Sequence, residues 1–145
     1  MEHTDNLESV NNDDYLSLTT LLEGAKNGSS SCMVRLANKN QKHRIYFDGM
    51  SILNEEDEFY WLHRAAELGY APSYIPLGLR YQCGSGTEQN KDKAEFWYNK
   101  AKEAMDMKDI LLEVNSPLFD GVNPEDRKTM LGCIGYHIGT FKKGD

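Results

Sequence analysis

The stretch from Gly69 to Met105 constrains the fold of this chain most, because it predicts two amphipathic helices joined by a glycine-rich turn. The first helix is predicted over about residues 71–82 and the second from Lys91 to Met105, with Asn90 as its N-cap. Between them, Cys83 to Gly86 favours a turn, since glycine adopts positive φ angles easily and weakens helices. The small and apolar residues of each helix share one face: Ala71, Ile75, Gly78 and Tyr81 in the first, and Ala94, Trp97, Tyr98, Ala101 and Ala104 in the second.

A helix pair with small and aromatic contact residues buries too little surface to be stable alone, so we expect it to stack on copies of itself. The sequence contains such a copy. Trp61 and Trp97 are 36 residues apart, and WLHRAAELG matches WYNKAKEAM in its Trp, in the basic residue three positions later and in the Ala that follows. The chain is therefore predicted to contain an internal repeat of helix pairs.

This 36-residue unit resembles the Sel-one-like repeat, a relative of the tetratricopeptide repeat. The residues that carry the resemblance are Ala71, Leu77-Gly78, Tyr81, Gly84-Ser85-Gly86, Lys93-Ala94, Trp97-Tyr98 and Lys100-Ala101. The resemblance implies an all-α fold, an α/α superhelix of stacked antiparallel helix pairs that forms a right-handed solenoid of about three repeat units. The chain departs from the pattern in three places, one of which is residues 41–53, where the sequence resembles an insertion or a broken turn in the first unit. Pro76 is expected to bend or delay the first helix, and Met105 replaces the usual closing glycine.

Further helices are predicted on both sides of the central unit. They run from Asp13 or Asp14 to about Ala25, from Ser30 or Ser31 to Asn40, from Asn54 to Leu68, from Asp106 to Val114 and from Asn123 to about Phe141. Residues 42–50 fit a strand or a further helical turn equally well, and we favour helix because a lone strand would have no partner. We expect residues 1–12 to be an acidic, frayed tail and residues 13–145 to form a single helical-repeat domain.

The charge and hydropathy of the chain exclude several classes of function. No run of eighteen apolar residues exists, and the first sixteen residues are acidic and polar, so we expect a cytoplasmic protein without a membrane span or signal peptide. The net charge of −7 disfavours nucleic acid and anionic membranes as partners and favours a basic protein. A solvated acidic surface that keeps the protein soluble is the alternative interpretation.

The sequence contains no catalytic or metal-binding constellation. Its four histidines are scattered, the Gly84 to Gly86 turn lacks the pattern of a phosphate loop, and the three cysteines have no CxxC spacing. We expect Cys32, Cys83 and Cys133 to be buried free thiols, and we predict neither a cofactor nor a metal. An enzyme that uses acids such as Asp48 and Glu67 remains the disfavoured class.

The leading prediction is therefore a non-enzymatic protein-interaction module. The resemblance implies that the first helix of each pair presents the binding surface, with Tyr70, Tyr74 and Arg80 exposed on the central unit and Arg35 and Lys39 beside them. One form of this function is a bacterial immunity protein that neutralises a basic toxin. An adaptor that self-associates is the alternative, and the predicted oligomeric state is a monomer or a weak homodimer.

Overall fold

The computed structural model describes residues 17–46 and 53–135, and these contain α-helices and short 3-10 turns but no strand. The chain divides between Tyr70 and Ala71 into two compact units. The predictions for residues 1–16, which include the start of the first helix at Asp13 or Asp14, for 47–50 and for the chain beyond Gly135 lie outside the described residues.

The first unit contains three helices: α1 (residues 17–26), α2 (Ser30–Tyr46) and α3 (Glu55–Glu67). Helix α1 ends close to the predicted Ala25, and Gly28 adopts a φ of 96° in the turn that follows. The favoured helical continuation is confirmed as far as Tyr46, because α2 runs without a break to that residue. Helix α2 packs on α3, and the core between them includes Met33, Leu36 and Leu62.

Helix α3 begins and ends with local hydrogen bonds that its sequence predicts. The Asn54 side chain accepts a hydrogen bond from the Asp57 backbone N–H at 2.8 Å, and the Asp57 carboxylate accepts one from the Asn54 N–H at 3.2 Å. This capping box satisfies two backbone donors at the positive end of the helix. At the other end Gly69 adopts a φ of 86°, which lets the Tyr70 N–H return to the Ala65 carbonyl.

A buried asparagine joins the two long helices of the first unit. Asn40 of α2 donates through Nδ2 to the Leu53 carbonyl at 3.0 Å and to the Glu58 carboxylate at 2.6 Å, while its Oδ1 accepts from the Leu53 N–H at 3.3 Å. Asn40 and Glu58 are both fully buried. The Asn40 side chain thereby holds Leu53, the residue before the N-cap of α3, in place.

The second unit contains a 3-10 turn (Ala71–Ser73), α4 (Tyr74–Cys83), α5 (Lys91–Ala104), α6 (Met107–Val114), a second 3-10 turn (Pro117–Phe119) and α7 (Pro124–Ile134). Helices α4 and α5 form the central antiparallel pair, and α7 packs on both of them. The predicted delay by Pro76 is confirmed, because α4 begins only at Tyr74. Pro76 then lies in the first turn, where a missing N–H removes no intrahelical bond.

The connection between α4 and α5 is a short closed loop. Gly84 and Gly86 adopt φ angles of 71° and 78°, as the sequence predicts for this turn. The Asn90 N–H then bonds back to the Tyr81 carbonyl at 2.8 Å, and the Gln89 side-chain amide donates to the Gln82 carbonyl at 2.8 Å. The loop is therefore held to the end of α4 at its base before Asn90 caps α5 through the Lys93 N–H.

A polar cluster within the apolar interior connects three helices of the second unit. Gln82 of α4 accepts a 2.7 Å hydrogen bond from the Tyr98 hydroxyl of α5 and donates to the Asp126 carbonyl of α7 at 2.9 Å. Arg127 of α7 donates to the Val114 carbonyl at 2.8 Å and to the Asn115 side chain at 2.7 Å. These bonds satisfy buried polar groups and place a cation at the C-terminal end of α6.

The predicted end of the last helix is wrong. The periodic apolar residues of the sequence suggested a helix to about Phe141, but α7 ends at Ile134 and Gly135 adopts a left-handed φ of 97°. Gly135 thus terminates α7, whereas the prediction placed it inside the helix. The start is as predicted, with Asn123 as N-cap and Pro124 in the first turn.

Candidate functional site

The outward face of α3 carries an exposed stripe of four residues at four-residue spacing, which we call the α3 stripe: Glu56, Tyr60, Arg64 and Leu68. Tyr60 is 49% exposed and Leu68 is 59% exposed, although both are large apolar side chains. Arg64 donates a 3.0 Å hydrogen bond from Nη1 to the Tyr60 hydroxyl. The stripe places an aromatic ring between an acid and a cation on a single helix face.

Helix α5 carries the same order of chemical types 36 residues later, which we call the α5 stripe: Asp92, Phe96, Lys100 and Ala104. All four residues are exposed, and Phe96 is 52% exposed. Each central ring meets the following Trp edge-on, with centroid distances of 4.9 Å for Tyr60 and Trp61 and 5.0 Å for Phe96 and Trp97. The two units therefore present equivalent surfaces.

The helix dipole explains the positions of the charged residues in the two stripes, but it does not explain why their aromatic rings are exposed. Acids in the first turn and cations near the last turn stabilise any helix through its dipole. An aromatic side chain with about half of its area in water gains less from burial than a core residue does. Exposed aromatic residues beside charged groups are typical of protein-interaction surfaces, where Tyr in particular anchors contacts.

A concavity of about 300 Å³ lies along the C-terminal half of the α3 stripe, lined by Tyr60, His63, Arg64, Glu67 and Leu68. His63 Nδ1 lies 3.5 Å from the Glu67 carboxylate along one edge of it. The concavity combines apolar walls with charges of both signs.

The structure places the predicted partner-binding residues differently from the prediction. Tyr74 and Arg80 were expected to be exposed, and this is wrong, because they are only 7% and 6% exposed. The Tyr74 ring lies against Trp97 at a centroid distance of 5.6 Å, and Arg80 donates to the Ser85 hydroxyl at 3.2 Å. Both residues therefore serve the interior and the turn of the second unit.

The other predicted residues lie nearer the surface. Arg35 is exposed on α2, Lys39 one turn later is half-buried, and Tyr70 is half-buried after the end of α3. The structure thus brings Arg35 and Lys39 together on one helix. Their binding role stays a prediction.

Tyr60 and Phe96 were missed in the sequence comparison, although a signal for them exists. The alignment of the two units began at Trp61 and Trp97, and each aromatic residue lies one position earlier. A four-residue helical spacing from each ring leads to a cation in both units. Extending the alignment by five residues toward the N-terminus would have identified both stripes.

Burial raises the pKa of several titratable groups in the second unit. Partial burial of its thiol, and then the 3.4 Å hydrogen bond to the Asp126 carboxylate, raise the pKa of Cys83 to about 11. Burial likewise raises the pKa of the Tyr98 hydroxyl and of the Cys133 thiol. All three cysteines are free thiols as predicted, but the prediction that they are buried is wrong, because Cys83 is exposed and Cys32 and Cys133 are half-buried.

Within residues 17–46 and 53–135, no three His, Cys, Asp or Glu side chains are grouped so that they could hold a metal ion. None of the helices in the same ranges has the length and apolar character needed to cross a membrane.

Comparison with known proteins identifies a repeat family that matches this chain. The Sel1 repeat model matches residues 30–70 and 72–104, which include the helix pairs α2–α3 and α4–α5 and make up just over half of the chain. The chitin synthase regulator SKT5 of Saccharomyces cerevisiae is 32% identical over 97 residues, which is 65% of this chain and 13% of the yeast protein.

A solved structure shows the same architecture. The crystal structure of c5321, a protective antigen present in uropathogenic Escherichia coli strains that displays an SLR fold, aligns with a TM-score of 0.52 and 30% identity over 60% of this chain and 18% of that chain. The present chain spans less than a fifth of the length of either relative. Sel1 repeat proteins generally mediate protein–protein interaction. The two matched segments and the helical-repeat solenoid fold of this neighbour show that the chain belongs to the Sel1 repeat family.

Proposed function

We propose that this chain is a non-enzymatic protein-interaction module that contacts partner proteins through the α3 and α5 stripes. The observation that carries the proposal is the duplication of the stripe. Two helices present an acid, an aromatic ring and a cation in the same order, and all of these side chains are exposed. Such rings bury a large area on binding and lose little side-chain entropy.

The hydrogen bonds of the buried polar groups and the protonation of the Cys83 thiol support a non-enzymatic role. Gln82, Tyr98 and Asn40 are engaged in hydrogen bonds that hold helices together. The exposed thiol of Cys83 has a pKa of about 11 and is therefore protonated at neutral pH, which makes it a poor nucleophile. Each of these groups makes a hydrogen bond within the fold.

The proposal is tested by removing both rings from the full chain. Partners captured from the native host are identified by mass spectrometry, and the direct affinity of each one is then measured. The variant Tyr60→Ala/Phe96→Ala should weaken binding by at least about tenfold, since central aromatic residues contribute more than about 1 kcal/mol each. Leu112→Ala is the matched control, because Leu112 is 66% exposed and apolar but lies on α6 outside both stripes. Equal affinity of the double variant and the wild type would reject the stripes as the binding surface.

The charge of the chain supports a narrower proposal about the partner. A net charge of −7 attracts a basic protein, and a bacterial immunity protein that neutralises a basic toxin is the form of this function that we propose. Binding should then weaken strongly as salt is raised from about 50 mM to 500 mM, because screening removes long-range attraction. A salt-insensitive complex, or a partner with an acidic surface, would contradict this narrower proposal and leave the broader one intact.

A further inference from the structure

We infer that the α3 stripe is a self-association surface, on which α3 of a second copy of this chain packs antiparallel with Tyr60 at the two-fold axis. The inference rests on the proposed function in one respect, since it assigns a partner to one of the two interaction stripes. It leaves the α5 stripe available for a different protein.

The order of charges along α3 selects the antiparallel arrangement. Glu56 and Arg64 lie four residues on either side of Tyr60, which is about 6 Å along the helix axis in each direction. When a second α3 is laid antiparallel about Tyr60, Glu56 of each copy therefore faces Arg64 of the other. A parallel arrangement in the same register would place like charges opposite each other. An isologous two-fold contact needs this kind of self-complementary patch.

The concavity beside Tyr60 supports the same register. The concavity lies on the C-terminal side of Tyr60, between its ring, Arg64 and Leu68. In an antiparallel pair, the N-terminal half of the second helix lies over that concavity and brings its own Tyr60 ring toward it. An antiparallel pair centred on Arg64 would place the two Arg64 guanidinium groups opposite each other, and their repulsion disfavours that register.

The α5 stripe has the same charge order but is less suited to this contact. The Lys100 ammonium lies over the Phe96 ring, 5.8 Å from its centroid, and so covers one face of that ring. Arg64 contacts Tyr60 at the hydroxyl, on the rim of the ring.

The contact should be weak and reversible. Helix α3 has 13 residues and is about 20 Å long, so one helix–helix contact lies below the area of a standard stable interface. We therefore expect a dimer dissociation constant in the micromolar range or weaker. Sedimentation velocity of the full chain, from about 5 to 500 µM, covers this range.

Charge reversal provides the test. Glu56→Arg alone would oppose two cations, and Arg64→Glu alone would oppose two carboxylates, so each variant should raise the dimer dissociation constant by at least about tenfold. An equimolar mixture of the two variants restores opposite charges at both contacts. The mixture should therefore form a heterodimer, and the double variant Glu56→Arg/Arg64→Glu should form a homodimer again. The matched control is Asp92→Arg on α5, which should dimerise as the wild type does.

Several results would overturn the inference. They are a wild-type chain that stays monomeric up to 500 µM, a dimer that persists in both single variants, or loss of the dimer in Asp92→Arg alone. Circular dichroism of each variant checks that the helices remain intact. The two proposals fail separately: a wild-type chain that stays monomeric, but whose partner affinity falls in Tyr60→Ala/Phe96→Ala, overturns self-association alone.

Discussion

At the scale of single residues, Gly78 shows how closely α4 and α5 approach. A Cβ atom built on Gly78 would lie 2.6 Å from Tyr98 Cε1 and 2.8 Å from Tyr98 Cδ1. Tyr98 is fully buried, and its hydroxyl donates to Gln82, so the ring has little freedom to move away. The missing side chain of Gly78 is therefore what allows the Tyr98 ring to lie between the helices.

We predict that Gly78→Ala lowers the free energy of unfolding by about 2 kcal/mol, although alanine is the better helix former by about 1 kcal/mol. Urea denaturation followed by circular dichroism measures the change. Gly121→Ala is the matched control, since a Cβ there meets nothing within 4 Å. A Gly78→Ala protein as stable as the control would show that the α4–α5 contact can relax.

At the scale of elements, Asn40 decides where α3 begins. Its side chain pairs with both the N–H and the carbonyl of Leu53, in the way that a neighbouring peptide group would. The additional bond to buried Glu58 ties the same amide to the first turns of α3. Removing the amide would leave buried polar groups without this partner, which is among the more destabilising changes a substitution can make.

We predict that Asn40→Ala lowers the free energy of unfolding by about 3 kcal/mol. Lys42→Ala provides the comparison on the same helix, because Lys42 is exposed, and it should change stability by less than about 0.5 kcal/mol. Both variants are measured by urea denaturation at neutral pH. A loss for Asn40→Ala no greater than that for Lys42→Ala would contradict the structural role of the amide.

Elements whose ends depend on local chemistry could be predicted from the sequence. The caps Asn54, Asn90 and Asn123 each bond to a backbone N–H three residues later, and short-range patterns of this kind are visible in a single sequence. The end of α7 was missed because the apolar spacing continued past Gly135. Glycine inside a periodic segment fits a helix interior or a C-cap, and periodicity alone does not separate the two.

Side-chain exposure could not be predicted in the same way. Tyr74 is buried because the Trp97 ring lies against it, and this contact joins residues on two different helices. The role of Asn40 likewise depends on residues 13 and 18 positions later in the chain. The fold and the residue order of the two stripes were therefore predictable from the repeat pattern, whereas the exposure of individual side chains required the tertiary structure.

At the scale of the whole molecule, one carboxyl group gives stability an unusual dependence on pH. Burial raises the pKa of Glu113 from its ordinary value of 4.5 to about 7. The folded chain therefore keeps the proton of Glu113 at pH values where the unfolded chain has released it. This group's contribution to stability is fully present below about pH 4.5 and is lost as pH rises through about 7.

We predict that Glu113→Gln removes this loss, because the neutral amide resembles the protonated acid. The free energy of unfolding of the variant minus that of the wild type should be about 1–3 kcal/mol larger at pH 8 than at pH 4.5. Denaturation series at several pH values measure the difference between the two proteins, which cancels the titration of groups they share. Parallel pH profiles for both proteins would refute the assignment.

The closed loop between α4 and α5 has a consequence for how the chain meets proteases. Exposed turns rich in glycine and polar residues are ordinarily the first places to be nicked. Cleavage there requires several residues to detach and extend into the enzyme's cleft. In this chain, such detachment would first have to break the bonds from Asn90 and Gln89 back to α4. We therefore expect proteases to cleave the hairpin turn of the best-preserved repeat unit slowly while the second unit is folded.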